Sequence, residues 1–305
     1  MARERDGGRI GLRDRLDNIR RAAIIPKDLE LTKPDYPPTA FAGQTSLITG
    51  VSHFGGFGYE TARKLVEMGA GAVAINYRKI TDEVNDIVAD LKERARQTGT
   101  RIIPIKADIS RIDEAASLVR MVVSRTGRLD VYIDNAGRIA MGKLAEQTAE
   151  DVVENSMTNI VGPQIILGEA FKQMKAGGGG RVVSILSIAA DGVPFQSQYA
   201  GAKAFKFAAA RSGAMESLLT RSRITFVSIA PSLSPTTMTS VVGEDARPAL
   251  MEMVGQKQEV SPSDVADYIV YAASSLVPDT LNGQVIPVYK PMRSLQAPAA
   301  QGVIS

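Results

Sequence analysis

The stretch Thr45-Ser-Leu-Ile-Thr-Gly-Val-Ser-His-Phe-Gly-Gly-Phe-Gly58, continued by Tyr59 to Met68 and Ala72-Val-Ala-Ile-Asn-Tyr77, decides the fold. Thr45 to Ile48 is a short apolar run that reads as a buried strand. Gly50 to Gly58 is a Gly-rich turn, and Tyr59 to Met68 reads as a helix ended by Gly69. A second strand, Ala72 to Tyr77, follows at once. Two parallel strands need a crossover long enough to be a helix, so strand, turn, helix, strand is the unit of a parallel sheet. The alternation continues with a charged helix from about Thr81 to Gln97, a strand from Arg101 to Lys106, and a helix that Ser110 and Asp113 open as a capping box. Leu129 to Asp134 is the fourth strand and leads into Asn135-Ala-Gly137; Val182 to Leu186, Ile224 to Ile229 and Val285 to Val288 complete the set. The expected fold class is α/β, a doubly wound parallel sheet of about seven strands with helices on both faces. Residues 41–290 form this domain, 1–40 a charged and then Pro-rich arm, and 291–305 a tail. Leu12, Leu16, Ile19 and Ala23 predict a short amphipathic helix in the arm, which packs on its own domain or on a neighbouring subunit.

The chemistry gathers at Ser187 to Lys203. Ser187 stands at the carboxyl end of the fifth strand, and Tyr199 and Lys203 lie four residues apart on one face of an Ala-rich helix. A phenol is a poor acid-base catalyst at neutral pH, and an ammonium beside it favours the phenolate. A serine hydroxyl nearby would hydrogen-bond the oxygen of a carbonyl or alcohol while the tyrosine moves its proton. Tyrosine and lysine at this spacing also occur on any amphipathic helix, so the pair alone decides nothing.

Composition narrows the classes. The 305 residues carry 36 basic and 33 acidic side chains, a net charge of +3, which gives no footprint for nucleic acid or an anionic membrane. No apolar run reaches the length of a membrane span, and Glu4, Asp6, Asp14 and Asp17 argue against a transit peptide, so the default is a soluble, cytoplasmic protein. With no cysteine and a single histidine, His53, there is no thiolate chemistry and no metal site that needs several imidazoles. No metal is expected.

The turn from Thr49 to Gly58 lies where the pyrophosphate of a dinucleotide is held, after the first strand and at a helix N-terminus. An NAD site presents a carboxylate at the end of the second strand. Here the chain reads Asn76-Tyr-Arg-Lys79, with no acid and two cations, which favours NADP(H) over NAD(H). The alternative is that Arg78 and Lys79 are solvated loop residues.

From about Phe41 to Val288 the chain resembles the short-chain dehydrogenase/reductases in their single-domain Rossmann form. The likeness rests on Thr49-Gly50 with Gly56-Phe-Gly58, Asp108, Asn135-Ala-Gly137, Asn159, Ser187 and Tyr199-x-x-x-Lys203, in the family's order. It implies a Rossmann-like fold and a catalytic set of Asn159, Ser187, Tyr199 and Lys203. Tyr199 would be the general acid/base and Ser187 would orient the carbonyl. Lys203 would lower the tyrosine pKa and bind the nicotinamide ribose, and Asn159 would hold a relay water. The cofactor would meet Gly50, Ser52, His53, Gly56, Phe57 and Gly58, then Tyr77, Arg78, Asp108 and Ile109. Asn135, Ala136, Gly137, Tyr199, Lys203, Pro231, Ser232 and Thr236 complete its expected contacts. If Val152 to Phe171 is one helix, Pro163 leaves the Asn159 carbonyl without its helical donor and Gly162 eases a kink. That carbonyl could then hold a water; otherwise the kink is ordinary and the asparagine faces solvent.

The departures matter too. Five residues, Val51 to Gly55, stand where the family has three, leaving His53 either a phosphate ligand or simply exposed. Pro231-Ser232 replaces the family's Pro-Gly and restricts the backbone near the nicotinamide. Val288-Tyr-Lys-Pro291 replaces a Gly pair, and Lys206 adds a Tyr-x6-Lys pattern like that of enoyl reductases, with Lys203 the better placed of the two. Met238, Val241, Val242, Leu250, Met251, Met253 and Val254 read as an apolar lid or a satellite core. The leading expectation is an NADPH-dependent ketoreductase or alcohol dehydrogenase for a mostly apolar small molecule, with a 3-oxoacyl reductase as a narrower form. A non-catalytic nucleotide-binding protein and an isomerase or dehydratase are the alternatives. A homotetramer or dimer is expected, with Ile165, Ile166, Phe171, Phe207 and Ala208 to Ala210 fitting either an interface or the sheet.

Overall fold

Apolar runs form seven strands: β1 (Thr45–Ile48), β2 (Ala72–Tyr77), β3 (Arg101–Lys106), β4 (Val131–Asp134), β5 (Gly180–Ile185), β6 (Ile224–Pro231) and β7 (Gln284–Val288). In this computed structural model, which describes residues 31–290 apart from 32, 38, 242, 244–246, 254 and 255, they make one sheet in the order β3-β2-β1-β4-β5-β6-β7. Every neighbouring pair is parallel. Side chains alternate between the faces, so Leu47 enters one apolar layer and Ile48 the other. The helices are α1 (Phe57–Glu67), α2 (Asp82–Thr98), α3 (Ile112–Thr126), α4 (Ala149–Ser156), α5 (Gly162–Ala176), α6 (Ser197–Thr220), α7 (Arg247–Met253) and α8 (Pro262–Ala273). Leu65, Ile87, Leu91 and Ile269 bring α1, α2 and α8 onto one face. Leu118, Val122, Ile166, Ala170 and Ala214 bring α3, α5 and α6 onto the other. The expected α/β, Rossmann-like sheet is the one observed.

Two local readings are corrected, and one left open is decided. Ser110 and Asp113 form no capping box: α3 starts at Ile112 with Arg111 as its cap residue. Ser110 is drawn away because both its N–H and its hydroxyl donate to Asp108 Oδ1, at 3.0 and 2.7 Å. The helix expected around Asn159 is not a single α-helix. Between α4 and α5 the residues Met157–Val161 form a π turn, and Pro163, lacking an N–H, sits in the first turn of α5 where helices tolerate it. Ile166 and Phe207 are buried within the subunit's own cores, and Ile165 and Phe171 pack against one of them, so these side chains serve the sheet.

The arm's helix around Leu12, Leu16, Ile19 and Ala23, the 291–305 tail, and Val242 and Val254 of the lid lie outside the described residues. What is described of the arm packs on its own domain: Leu31, Tyr36 and Ala40 rest against the first apolar layer. Lys33 joins Lys64 on the Asp267 carboxylate of α8, at 3.0 and 2.8 Å. Among the described residues no helix is long and apolar enough to cross a membrane.

The junction at Gly162 is tight, since a Cβ built there would lie 1.9 Å from the Ile109 carbonyl oxygen. Gly162→Ala is therefore expected to lower the thermal midpoint strongly or prevent folding. Gly168→Ala, in the same helix with nothing within 4 Å, is expected to add about 0.5–1 kcal/mol. Denaturant titration of both variants checks the contrast.

Candidate active site at the carboxyl ends of the strands

The strand order reverses between β1, whose connection runs to β2 on one side, and β4, whose connection runs to β5 on the other. The connections diverge there and leave a crevice at the strands' carboxyl ends. A cleft of about 710 Å³ fills it, within the range of cofactor sites. Gly50, Ser52, His53, Gly56, Phe57 and Gly58 line it from the turn after β1, and Arg78 from the end of β2. Asp108 and Ile109 line it after β3, and Asn135, Ala136 and Gly137 after β4. Tyr199 and Lys203 reach it from α6, and Thr236 from the segment after β6.

Tyr77 does not line the cleft, because its side chain is buried in the sheet; Asn76, whose amide donates to the Ala107 carbonyl at 3.0 Å, lines the wall instead. Pro231 and Ser232 line an adjoining cavity of about 90 Å³ together with Ser187, Tyr199 and Leu250. The residue that replaces the family's glycine does not obstruct it, since the Ser232 hydroxyl is turned into the fold and donates to the Val288 carbonyl at 2.7 Å.

Asn135 joins the two sides of the crevice. Its amide donates to the Thr49 and Gly50 carbonyls at 2.8 and 3.1 Å, and the Thr49 hydroxyl accepts from the Asn135 and Ala136 N–H groups. Glycine is required beside this lock. Gly50 has φ of +74° and a Cβ there would lie 2.8 Å from the Ala136 Cα; a Cβ on Gly58 would lie 2.8 Å from the Asn135 amide nitrogen. No side chain caps α1, so the backbone N–H groups of its first turn stand free for an anion. The two extra loop residues are held rather than loose. His53 Nδ1 meets Glu83 Oε2 at 2.9 Å, and the Phe54 N–H donates to Glu83 Oε1 at 2.9 Å.

Tyr199 and Lys203 are both buried at the cleft wall, and burial is the largest influence on their titration. It pushes the Tyr199 phenol up to about 12, against a lowering hydrogen bond from Ser187. Lys203 is lowered to about 7, by burial first and then by Lys206, with Asp134 opposing. The expectation that Lys203 lowers the tyrosine pKa is therefore corrected. Its ammonium nitrogen lies 5.4 Å from the ring centroid, donates to the Ile185 carbonyl at 2.7 Å, and is itself desolvated. The Lys206 amine is paired with Asp134 at 2.8 Å and does not line the cleft. Asn159 is wholly buried: its amide donates to the Arg138 carbonyl and Asn155, and its oxygen accepts from the Arg138 N–H at 2.9 Å. It clamps the turn after β4, which excludes a solvent-facing asparagine.

The short chain dehydrogenase profile matches residues 44–247. This chain belongs to the short-chain dehydrogenase/reductase family. It is 28% identical over 249 residues to the 3-oxoacyl-[acyl-carrier-protein] reductase FabG of Staphylococcus epidermidis, covering 80% of this chain and 97% of the relative. It is also 31% identical over 161 residues to versicolorin reductase 1 of Dothistroma septosporum, covering 53% and 59%. Among solved structures it resembles a short-chain type dehydrogenase/reductase from Mycobacterium ulcerans, with a TM-score of 0.73 and 28% identity over 81% of this chain and 89% of that one. A variant short-chain dehydrogenase/reductase from Serratia marcescens gives 0.71 and 25% over 82% and 97%. The protein is thus an oxidoreductase of a family that binds a nicotinamide cofactor.

Two polar residues of this dehydrogenase escaped the sequence reading. Gln196, 5% exposed and with no hydrogen bond from its amide to a described residue, lines the small cavity, as does the unpartnered hydroxyl of Ser234. Neither belongs to a motif; Gln196 is the N-cap residue of the helix that carries Tyr199, and only the packing brings Ser234 to it. The Arg138–Glu154 ion pair on the cleft's rim was missed for the same reason. Among the described residues no group of three His, Cys, Asp or Glu side chains could hold a metal. If Glu83 fixes the lengthened loop, Glu83→Ala will speed hydrogen exchange of the Phe54 amide, read by mass spectrometry, while strand amides stay protected.

Proposed function

We propose that the protein is a cytoplasmic, NADPH-dependent carbonyl reductase for mostly apolar ketones, able to run as an alcohol dehydrogenase in reverse. The observation that carries this is the convergence of Ser187, Tyr199 and Lys203 where the cleft meets the small cavity. A 3-oxoacyl thioester is the narrower candidate substrate, supported by the similarity to the staphylococcal reductases. The glycine cradle and the uncapped start of α1 suit a pyrophosphate. Arg78 and Lys79 line the cleft and make no ion pair among the described residues, which suits a 2′-phosphate. Hydride is the chemistry that a bound nicotinamide supplies.

Tyr199 donates its phenolic proton to the carbonyl oxygen, and the Ser187 hydroxyl hydrogen-bonds the same oxygen. Lys203, as the ammonium, replenishes and steadies that proton through a relay that includes a water on the Asn159 carbonyl. Leu186, Ile188, Leu233, Met238 and Leu250 give the small cavity apolar walls, where Gln196 and Ser234 add polar contacts. A dimer or tetramer is consistent with Val152 and Val153 of α4 and Phe205 of α6, which lie exposed on the helix before Asn159 and the helix that carries Tyr199. No feature favours the non-catalytic reading, because Ser232 leaves the site open, and none favours an isomerase or dehydratase.

Tyr199→Phe is expected to lower ketone reduction roughly 10²- to 10⁴-fold while NADPH affinity, measured by fluorescence, changes by less than about twofold. Retained turnover refutes the assignment; NADPH binding with no ketone reduced by the wild type supports the non-catalytic reading. Reduction needs protonated Tyr199 and charged Lys203, so kcat/KM should decline as pH rises through about 7, the Lys203 value. Alcohol oxidation needs the phenolate and should rise toward alkaline pH. Arg78→Ala should raise KM for NADPH about tenfold, one charge-assisted contact, and leave KM for NADH unchanged.

A further inference from the structure

Beneath the site lies an ion pair that the reaction as described does not use. Lys206 Nζ donates to Asp134 Oδ1 at 2.8 Å and to the Ala136 carbonyl at 3.1 Å. Lys206 is 3% exposed and Asp134 5%, so the pair is dry. Replacing such a pair by apolar side chains is often neutral or stabilising, which makes stability a weak reason for its presence. Its position offers another. Lys206 stands three residues after Lys203 on α6, where Cβ atoms on one helical face are about 5–6 Å apart. Asp134 ends β4 and leads directly into the turn Asn135-Ala-Gly137 that lines the cleft.

We infer that the buried Asp134–Lys206 pair is a positioning element of the reaction, its lysine repelling and its carboxylate attracting the charge on Lys203. This rests on the reading that Lys203 acts at the site. Tyr199 and Lys206 face Lys203 from α6 itself and Asp134 faces it from β4; Tyr132 is buried next to Asp134 on the same strand. Ser187 and Asn159 bring no charge, and Arg138 and Glu154 on the open rim pair with each other. Lys206 opposes protonation of Lys203 more than Asp134 favours it. The pair thus leaves a net push against the ammonium, adding to burial, while its contact with the Ala136 carbonyl holds the cleft wall in place.

The test is the titration of Lys203, followed by NMR of lysine labelled at Cε and assigned with Lys203→Arg. The readout requires no substrate. Asp134→Asn should place the midpoint below that of the wild type. Lys206→Met should raise it by about one unit. The Asp134→Asn/Lys206→Met double variant should fall between the wild type and Lys206→Met, and Lys206→Arg should restore the wild-type value. The alkaline limb of ketone reduction should move in the same order. The double variant buries no unpaired charge and decides the matter alone if a single variant fails to fold. Its midpoint above the wild type supports the inference; coincidence with the wild type, or a shift downward, overturns it. A protein that shows this order yet reduces no ketone would keep the pair's electrostatic role and lose the proposed reductase activity.

Discussion

The bond set between Thr49 and Asn135 is the constraint on which the site depends. β1 and β4 are neighbours in the sheet, yet their connections leave in opposite directions, so nothing in the chain's path keeps their carboxyl ends together. One asparagine amide reaching two carbonyls and one threonine hydroxyl accepting two N–H groups do so. The glycines at 50 and 58 follow from that closeness, because any side chain there would enter the space of Ala136 or of the Asn135 amide. The lock fixes the floor of the cleft, and Asn159, clamping Arg138 three residues after Asn135, extends the fixed region.

Burial then governs the chemistry. Tyr199 and Lys203 are both taken out of water, and each is driven toward its neutral form, the phenol upward and the amine downward. A simple picture in which an ammonium drags the phenol toward neutrality omits the cost of burying two ionisable groups side by side. For the tyrosine, burial thus favours the protonated phenol.

Much of this architecture was legible in the sequence because it is set by periodicity and by local rules. Buried strands such as Ala72 to Tyr77 have no polar interruption apart from Asn76, and the glycines of the first turn announce a close approach of backbone to backbone. What was not legible depends on distant partners. Ser110 looks like a helix cap until Asp108 claims it, and Tyr77 follows the right strand but alternates to the wrong side of the cleft wall. Gln196 reads as an ordinary polar residue before a helix until the segment after β6 folds over it. His53, ambiguous in one dimension, pairs with Glu83, thirty residues away, at the rim of the cleft.

The arm residues carry a consequence for how this protein is handled. Recognisable family sequence begins at residue 44, but Leu31, Tyr36 and Phe41 already belong to the hydrophobic interior, and Lys33 shares a carboxylate with Lys64. A version trimmed to residue 44 would lose the cover over α8 and open a greasy seam in the first apolar layer. Such a fragment would be prone to clump in solution, and its silence in an assay would say nothing about the chemistry of the intact enzyme.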